Sequence, residues 1–366
     1  MVMKKRVAAI VMAGITASFF MLGCGADDGD TPVSGSAEEE SYSTYEGEDI
    51  IDPEEVAEGL ETEENPSFTD EDIRGISVVF DGETMYQMNY TPRNDRDSYL
   101  YWDMVTPYAS TTVINTETMY ELYEVIAAID WSSEEVDAEA AESLKESDTY
   151  ITINYCSGSD DEDADEDEAE DENEDEDSDE DADEAAPDMT MTLLIGELQD
   201  DQYECALKGY EENVVMISAS TLDTVLQTEP YSLILKIPYL VNIATVEEVD
   251  ITYNGEEHTM TLDGDTYKID GKKVETDEYT GLYSALMQPM LDGEITEDVQ
   301  LTEFREAEIS IYYARNLDGA IDYDVNIYPY GDDQYTVSVN GEENFFLSAE
   351  DVETLEETLD VFFGEL

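Results

Sequence analysis

The sequence predicts an α+β protein built from repeated antiparallel β-hairpin and strand units, each followed by a helix that packs on one sheet face. Two observations lead to this fold class. Apolar and polar residues alternate in short stretches that end in Asp-Gly or Asn-Gly, and apolar residues at helical spacing follow further along the chain. The chain has 366 residues, which is enough for one large or two ordinary domains.

The chain begins with a segment typical of a bacterial lipoprotein leader. Three basic residues at positions 4–6 precede an apolar run that ends at Leu22-Gly23-Cys24. This ending resembles the lipobox, so residues 1–23 are predicted to be the signal peptide, and Cys24 is predicted to carry the diacyl or palmitate lipid. A plain signal peptide with an incidental cysteine, and an uncleaved anchor, are the alternatives. We expect the mature protein on the extracellular face of the bacterial cytoplasmic membrane.

A tether is predicted after the lipid. Residues 24–70 are acidic and contain few large apolar side chains. Such a segment buries too little surface to offset the entropy lost on ordering, so it is predicted to be disordered. The pattern allows one short helix around Pro53–Leu60.

The hairpin units begin with two matching segments. Residues 76–83 (ISVVFDGE) and 249–256 (VDITYNGE) correspond position for position. Asp-Gly and Asn-Gly tolerate the positive φ angles of a type I′ turn, so each segment predicts a tight hairpin. A third copy begins at Ile309 and has a longer turn around Asp318-Gly319.

Each hairpin continues through an aromatic-led strand into a helix. The three strands begin at Trp102, Tyr267 and Tyr335, and the helices are expected to begin near Asn115, Thr276 and Ser348. Apolar residues recur at helical spacing in all three: Met119, Leu122, Tyr123, Ile126 and Ile129; Tyr279, Leu282, Tyr283 and Leu286; Val352, Leu355, Leu359 and Phe362.

A β-rich stretch lies between the first two units, and an acidic insertion interrupts it. The predicted meander has four strands: Tyr150–Cys156, Thr190–Glu197, Gln202–Lys208 and Asn213–Ser218. A short helix is predicted after them, near residues 221–227. Residues 157–188 form the insertion, which is almost wholly Asp and Glu between 160 and 184. Charge repulsion keeps such a run extended, and a hairpin loop tolerates it because closure entropy grows slowly with length.

The insertion is also expected to condense divalent cations weakly. Hard cations prefer several oxygen ligands, but a defined site needs a turn that wraps the ligands around the ion. No Asp-x-[Asp/Asn]-x-[Asp/Asn]-Gly loop occurs here. The sequence therefore favours a solvated spacer over a specific calcium site.

Two lobes are predicted in the folded part of the chain. Residues 71–245 form the first α+β lobe with its acidic insertion, and residues 246–366 form the second lobe with two further strand–helix repeats.

The charge of the chain excludes one class of partner. The sequence has 96 acidic and 14 basic residues, a net charge of −82. Nucleic acid binding depends on Lys and Arg contacts with phosphate, so no nucleic-acid partner is expected.

The cysteine and histidine content gives few candidates for a disulfide, a metal site or a catalytic site. Cys156 and Cys205 lie in strand-like segments, and the sequence leaves open whether they form a disulfide or stay as two buried thiols. His258 is the only histidine, which excludes a multi-histidine zinc site within one chain. In the hairpin register it lies across from Ile251, and we interpret it as a peripheral structural residue. No catalytic, cofactor or metal residue is predicted, and the chain is not expected to be an enzyme.

Tyrosine is abundant, with 25 residues against 9 Phe and 2 Trp. One explanation is a platform of tyrosines on an outer sheet face, on which carbohydrate rings stack. The other is structural, since tyrosine is a good strand former on half-buried surfaces. The structural explanation is favoured.

Three segments of the chain occur together in a recognisable order: residues 102–107 (WDMVTP) with the following helix, Thr192–Gly196 with Tyr203 and Val214–Ile217, and Leu240–Met260. Together they resemble an uncharacterised bacterial family, domain-of-unknown-function family 4340. The resemblance spans Arg74 to Asp292; the acidic tract departs from it as an insertion, and the third unit from Ala307 lies beyond it. The family has no established catalytic residues.

The resemblance implies an accessory role in the cell envelope, because members are often membrane-attached and encoded beside ABC-2-type exporters or gliding-motility components. The leading hypothesis is a membrane-anchored surface lipoprotein that serves as a non-catalytic binding or scaffold subunit of an ABC-type transport system. The alternatives are an extracellular carbohydrate or nutrient binder that uses exposed tyrosines, and a hydrolase of extracellular polymer.

Overall fold

The fold is built on two antiparallel sheets. The structure is a computed structural model that describes residues 52–92, 101–108, 112–131, 138–157, 186–263, 266–296, 301, 305–317, 320–331 and 334–364. The predicted signal peptide, Cys24, most of the predicted tether and the acidic run at 160–184 lie outside these residues.

The first sheet has seven strands, in the spatial order β3-β2-β1-β4-β5-β6-β7. They are β1 (Ile73–Phe80), β2 (Glu83–Tyr90), β3 (Trp102–Thr106), β4 (Tyr150–Tyr155), β5 (Met189–Gln199), β6 (Gln202–Leu207) and β7 (Val215–Ser218). The predicted meander is confirmed, since β4 to β7 are consecutive antiparallel neighbours.

The second sheet has nine strands, in the order β11-β10-β9-β8-β13-β14-β15-β16-β12. They are β8 (Val246–Tyr253), β9 (Glu256–Asp263), β10 (Thr266–Ile269), β11 (Lys272–Lys273), β12 (Leu291–Glu294), β13 (Ile309–Arg315), β14 (Tyr323–Tyr330), β15 (Gln334–Val339) and β16 (Glu342–Leu347). The third hairpin pairs as predicted, with Tyr313 opposite Tyr323, and the centre of its turn at 318–319 lies outside the described residues.

The tight turns are confirmed in detail. Asp81 and Gly82 have φ of 50° and 76°, and Asn254 and Gly255 have φ of 53° and 75°. Two positive φ angles in succession are the signature of a type I′ turn, whose twist matches that of the flanking strands.

Six α-helices lie in the described part of the chain: α1 (Pro53–Ala57), α2 (Thr116–Ala127), α3 (Ala138–Leu144), α4 (Ala219–Leu226), α5 (Thr276–Leu286) and α6 (Ala349–Phe363). The side chains of Asn115 and Ser348 accept hydrogen bonds from the first-turn amides of α2 and α6, so both helices begin where the sequence predicted. None of the helices described has both the length and the apolar character needed to cross a bilayer.

The prediction that helices cover only one sheet face is wrong for the first sheet. Helices α2 and α4 pack on its apolar inner face, where the Tyr86 hydroxyl donates to the Val225 carbonyl at 2.9 Å. Helices α1 and α3 cover part of the opposite, outer face. In the second sheet, α5 and α6 pack on the inner face, and exposed residues such as Asp250 lie on the other face.

The two predicted lobes share one core. The described residues belong to a single compact unit, and one cluster of buried side chains runs through both sheets. Tyr108, which follows β3, packs on Phe345 of β16 with ring centroids 4.8 Å apart. The boundary at 245/246 therefore separates two sheets of one folded body.

The predicted tether is also shorter than expected. Residues 52–70 hold helix α1, and Glu61 forms a bridge to Met189 at the start of β5. Sequence composition alone favours disorder here, but buried polar groups on the outer face of the first sheet need hydrogen-bond partners, and this segment supplies them.

Candidate functional site

One cavity among the described residues is a groove on the outer face of the first sheet. It has a volume of about 710 Å³, within the range of small-molecule sites. Strands β4 and β5 form the floor, α1 forms one wall, and the end of α3 with the end of β6 forms the other. The lining residues used below are Glu54, Glu55, Glu58, Lys145, Tyr150, Thr152, Thr192 and Lys208.

A row of polar side chains runs from Ser77, which is buried beneath α1, across the floor of the groove. Ser77 lies opposite Thr152, and Thr152 lies opposite Thr192. The row ends at Lys208, whose amide donates to the Thr192 carbonyl at 2.9 Å. Ser77 and Lys208 are three strands apart, or about 14 Å, because neighbouring strands lie about 4.8 Å apart.

The centre of the row consists of hydroxyl groups. The Oγ1 atoms of Thr152 and Thr192 are 3.1 Å apart and share a hydrogen bond. Thr152 is buried, while Thr192 is partly exposed toward the groove. A hydroxyl both donates and accepts, so this centre suits a ligand with alternating donors and acceptors.

Helix α1 is held on the sheet by side-chain hydrogen bonds. Asp52 caps the helix and accepts from the side-chain amide of Gln87 at 3.0 Å. The Pro53 carbonyl accepts from Asn154 at 2.8 Å. Glu54 Oε1 accepts from Ser77 at 3.1 Å and from the Tyr150 hydroxyl at 3.3 Å. The acidic wall is therefore fixed by contacts that satisfy buried groups of the sheet.

Two further carboxylates are exposed on this wall, one within α1 and one directly after its last residue. Glu55 and Glu58, one helical turn apart, line the groove and are exposed to solvent. Burial, followed by the charge of Glu54 and its hydrogen bond, raises the pKa of Tyr150 beside them. This end of the groove is negative.

The opposite wall is basic. Lys145 and Lys208 line it, although the whole chain has only 14 basic residues. The Lys145 ammonium lies 3.2 Å from the Glu142 carboxylate. This ion pair is exposed, and exposed ion pairs contribute little to the stability of a protein. Glu142 and Glu211 lie beside these lysines and offset part of their charge.

Helix α3 supports the basic wall through a close contact. Leu144 packs with Leu194 and Ala206 in a small apolar cluster on the outer face. A Cβ atom built on Gly196 would lie 2.9 Å from Leu144 Cδ2 and 3.2 Å from the Glu204 carbonyl. Close packing favours glycine here, because a side chain at position 196 would force the Leu144 side chain or the Glu204 carbonyl to shift.

The disulfide that the sequence left open is not formed. Cys156 and Cys205 are not bonded to each other. Cys156 adjoins the Tyr155–Met189 pair, whereas Cys205 lies opposite Ile195. Met189 and Ile195 are six residues apart along β5, which corresponds to about 20 Å. A disulfide requires the two Cα atoms to lie within about 7 Å of each other.

His258 is structural, as expected, and lies opposite Ile251. Its ring stacks on Phe363 at a centroid distance of 3.7 Å, and Nδ1 lies 2.9 Å from Asp270 Oδ2. It helps to hold the end of α6 on the second sheet.

Many of the described tyrosines are buried in the core. The six largest fully buried side chains are all tyrosines: Tyr86, Tyr123, Tyr155, Tyr239, Tyr279 and Tyr313. Among the described tyrosines, Tyr312 is an exposed exception at 40%. This favours the structural explanation of the tyrosine content.

The groove residues were not singled out by the sequence analysis. Thr152 and Thr192 occupy the polar positions of alternating strands, where they resemble any solvent-facing residue. The one available signal was Lys145 and Lys208 in a lysine-poor chain.

No group of three metal-ligating side chains is found in the described part of the chain. Comparison of the chain with protein-family models, with curated proteins and with solved structures finds no match.

Proposed function

We propose that this protein is a surface lipoprotein, anchored to the bacterial cytoplasmic membrane through Cys24, that acts as a non-catalytic binding component of the cell envelope. The ligand binds in the groove on the outer face of the first sheet. The observation that carries the proposal is the groove itself, which places the exposed Glu55 and Glu58 on one wall and the exposed Lys145 and Lys208 on the other.

The position of α1 in the chain supports a link between anchor and groove. Helix α1 begins at Pro53, soon after the predicted tether leaves Cys24. The chain that comes from the membrane thus enters the fold at the acidic wall. A ligand that contacts Glu55 or Glu58 touches the segment nearest to the anchor.

The partner we propose is an ABC-type transport subunit, as the resemblance to family 4340 implies. Carbohydrate or nutrient binding is the second candidate. Its predicted tyrosine platform has little support, but the hydroxyl row of Thr152 and Thr192 favours a polar ligand of this kind.

We also propose that the three strand-and-helix segments are copies of one unit. The matching turns at Asp81-Gly82 and Asn254-Gly255 support it, as does the equivalent pairing of Phe80 with Glu83 and of Tyr253 with Glu256.

Site-specific photocrosslinking of the full-length protein in bacterial membranes tests the binding role. Benzoylphenylalanine is placed at Glu58 or at Lys208, both exposed on the groove walls. The control position is Thr252, which is exposed on the outer face of the second sheet. We expect a crosslinked product from both groove positions and none from the control.

Identification of the product by mass spectrometry then assigns the partner. A transporter subunit supports the accessory role, and a carbohydrate supports the second candidate. Equal capture at Thr252, or no capture at either groove position, would contradict the binding role of the groove.

A further inference from the structure

We infer that residues 52–60, which contain helix α1, form a detachable strap. The strap seats in a slot on the outer face of the first sheet, and it builds one wall of the groove only while it is seated. Strands β1, β2 and β4 form the seat. This regulation of the groove rests on the proposed binding function.

The seat contains a notch that matches the proline of the strap. Gly75 lies on β1 between Asn89 and Asn154, its partners on the two neighbouring strands. A Cβ atom built on Gly75 would lie 3.0 Å from Asn89 Oδ1 and 3.3 Å from Asn154 Nδ2. The same atom would lie 3.5 Å from Pro53 Cβ, so the proline ring sits over the notch. Pro53 is buried, and the other residues of α1 are partly or fully exposed.

Around the notch, the sheet supplies hydrogen-bond donors and the strap supplies acceptors. All four donors are neutral groups, so the seat recognises oxygen acceptors through hydrogen bonds and not through an ion pair. Gln87 donates to Asp52 at 3.0 Å, Asn154 donates to the Pro53 carbonyl at 2.8 Å, and Ser77 and Tyr150 donate to Glu54 Oε1 at 3.1 and 3.3 Å. This one-sided pattern is that of a receptor and its ligand, although both belong to one chain.

The contacts that hold the strap are ones that water can replace. Apart from Pro53, α1 buries no side chain fully, and its hydrogen-bonding groups become hydrated once the strap leaves the sheet. A segment with few buried apolar contacts opens at a lower free energy than the whole domain. The strands beneath it differ, because their inner face belongs to the main core. Opening of the strap therefore leaves the sheet folded.

The hinge of the strap lies where the chain is next fastened to the fold. Glu61 forms backbone hydrogen bonds with Asp188 and Thr190, and Asn213 donates to Glu64 at 2.7 Å. Between α1 and this attachment lies a turn that contains Gly59, which is exposed to solvent. A rotation at this turn moves α1 away from the sheet while the chain from Glu61 onward stays in place.

Opening removes the wall that carries Glu55 and Glu58 and converts the groove into an open sheet face. A ligand that touches either carboxylate binds only the seated state, so it also stabilises that state. Its apparent affinity falls in proportion to the fraction of molecules whose strap is seated. Seating of the strap therefore controls the binding strength of the groove.

Hydrogen exchange of the full-length lipidated protein, read by mass spectrometry, tests whether the strap opens. The Glu55 and Val56 amides donate to the Asp52 carbonyl. A helix as short as α1 is not stable on its own, so both amides exchange when the strap leaves the sheet. We expect the peptide that covers residues 52–60 to exchange about tenfold faster than β4, at a rate that mild urea does not change.

Paired variants separate seating from charge, with all rates corrected for the intrinsic exchange of each sequence. Asp52→Ala with Glu54→Ala removes two acceptors and should speed exchange of the strap about tenfold while β4 stays protected. Asp52→Asn with Glu54→Gln keeps oxygen acceptors for the neutral donors and should restore slow exchange. Glu55→Ala with Glu58→Ala is the control, because it removes the same charge from the strap without changing a contact of the seat.

Photocrosslinking from Lys208 tests the link to the groove, because this wall does not move with the strap. Ser77→Ala with Gln87→Met removes two donors of the seat and changes no residue that lines the groove. It should speed exchange of the strap and lower capture at Lys208 about tenfold. Ser310→Ala with Gln334→Met makes the same replacements on strands of the second sheet and should leave both unchanged.

Two results would overturn the inference. One is exchange of the strap that is as slow as that of β4 and equally sensitive to urea, since α1 would then open only with the sheet. The other is unchanged capture in the Ser77→Ala with Gln87→Met variant although its strap exchanges faster. If Lys208 captures nothing even in the wild-type protein, the binding function fails, and the exchange rates still decide for or against a detachable strap.

Discussion

Tyr108 donates a hydrogen bond to the carboxylate of Glu294, which joins the loop after β3 of the first sheet to edge strand β12 of the second. The same ring packs on Phe345 of β16. Burial, and then the hydrogen bond to Glu294, raise the pKa of Tyr108. This pair is one physical reason why the two sheets form a single unit instead of two lobes.

The first prediction concerns this contact. Tyr108→Phe keeps the ring contact with Phe345 but leaves the Glu294 carboxylate without the hydroxyl donor. Glu294 is exposed, so water replaces the lost donor, and the free energy of unfolding should fall by about 0.5 to 1.5 kcal/mol. Urea unfolding followed by tyrosine fluorescence measures it. Two separate transitions in the wild-type protein would contradict a shared core.

The second prediction concerns the close approach of α3. Gly196→Ala places a methyl group against Leu144 and the Glu204 carbonyl, and overpacking of this kind costs about 1 to 3 kcal/mol. Gly281→Ala in α5 is the matched control, since nothing lies within 4 Å of its added Cβ. It should stabilise the helix by up to about 1 kcal/mol. Urea unfolding that finds the two variants equally stable would count against the contact.

The local parts of the fold were predictable because local chemistry determines them. Asp81-Gly82 and Asn254-Gly255 adopt the turn that their dipeptides favour, and Ser348 caps α6. The register of His258 against Ile251 follows from one such turn. Turns and caps depend on neighbours in sequence, so the sequence contains the information.

The candidate site was not predictable for the opposite reason. Ser77 and Thr152 alternate with apolar residues and so predict a solvated outer face. Their burial depends on α1, which is distant in sequence and whose acidic composition predicts disorder. A side-chain network between such segments leaves no periodic signal in the sequence.

The third prediction is a pH dependence centred on Glu356. Burial, followed by the charges of Glu308, Glu353 and Asp360, raises the pKa of this carboxyl in the folded protein. The folded state therefore holds a proton over a pH range in which the unfolded state has lost it. Stability from this group is present at low pH and is lost as pH rises through the folded pKa.

Glu356→Gln removes the repelled charge and should stabilise the protein at neutral pH. Its stability should also fall less than that of the wild type as pH rises from 4 to 7. Glu357→Gln, an exposed neighbour on α6, removes the same charge and is the control. Thermal unfolding across this pH range measures both variants; identical profiles for the two would reject the role of Glu356.

The fourth prediction concerns the lipid anchor. Cys24→Ala should abolish incorporation of labelled palmitate and leave an unlipidated form, because the thiol is the only proposed attachment point. Cys156→Ala is the control and should label normally. Unchanged labelling of Cys24→Ala would refute the lipoprotein assignment.

The last prediction concerns the acidic insertion, whose base is well defined. Strands β4 and β5 pair up to Tyr155 and Met189. Just beyond them, the Ser157 amide and hydroxyl donate to the Asp188 carboxylate, and these hydrogen bonds lower the pKa of Asp188. The hairpin is thus closed by contacts outside the residues 159–186.

Deleting residues 159–186 and joining the ends with a short glycine-containing turn should therefore leave the fold intact. The deletion removes 20 acidic residues and shortens a loop, and both changes should be neutral or mildly stabilising. The Ser157–Asp188 contact is kept, so its stabilisation should still be lost only as pH falls through the lowered pKa of Asp188.

Thermal unfolding with and without divalent cations measures these effects. In the intact protein we expect a small effect of calcium at millimolar concentration that magnesium reproduces, because weak condensation on a charged run requires no coordination geometry. A saturable, calcium-selective stabilisation at micromolar concentration that the deletion abolishes would show instead that the insertion builds a defined site.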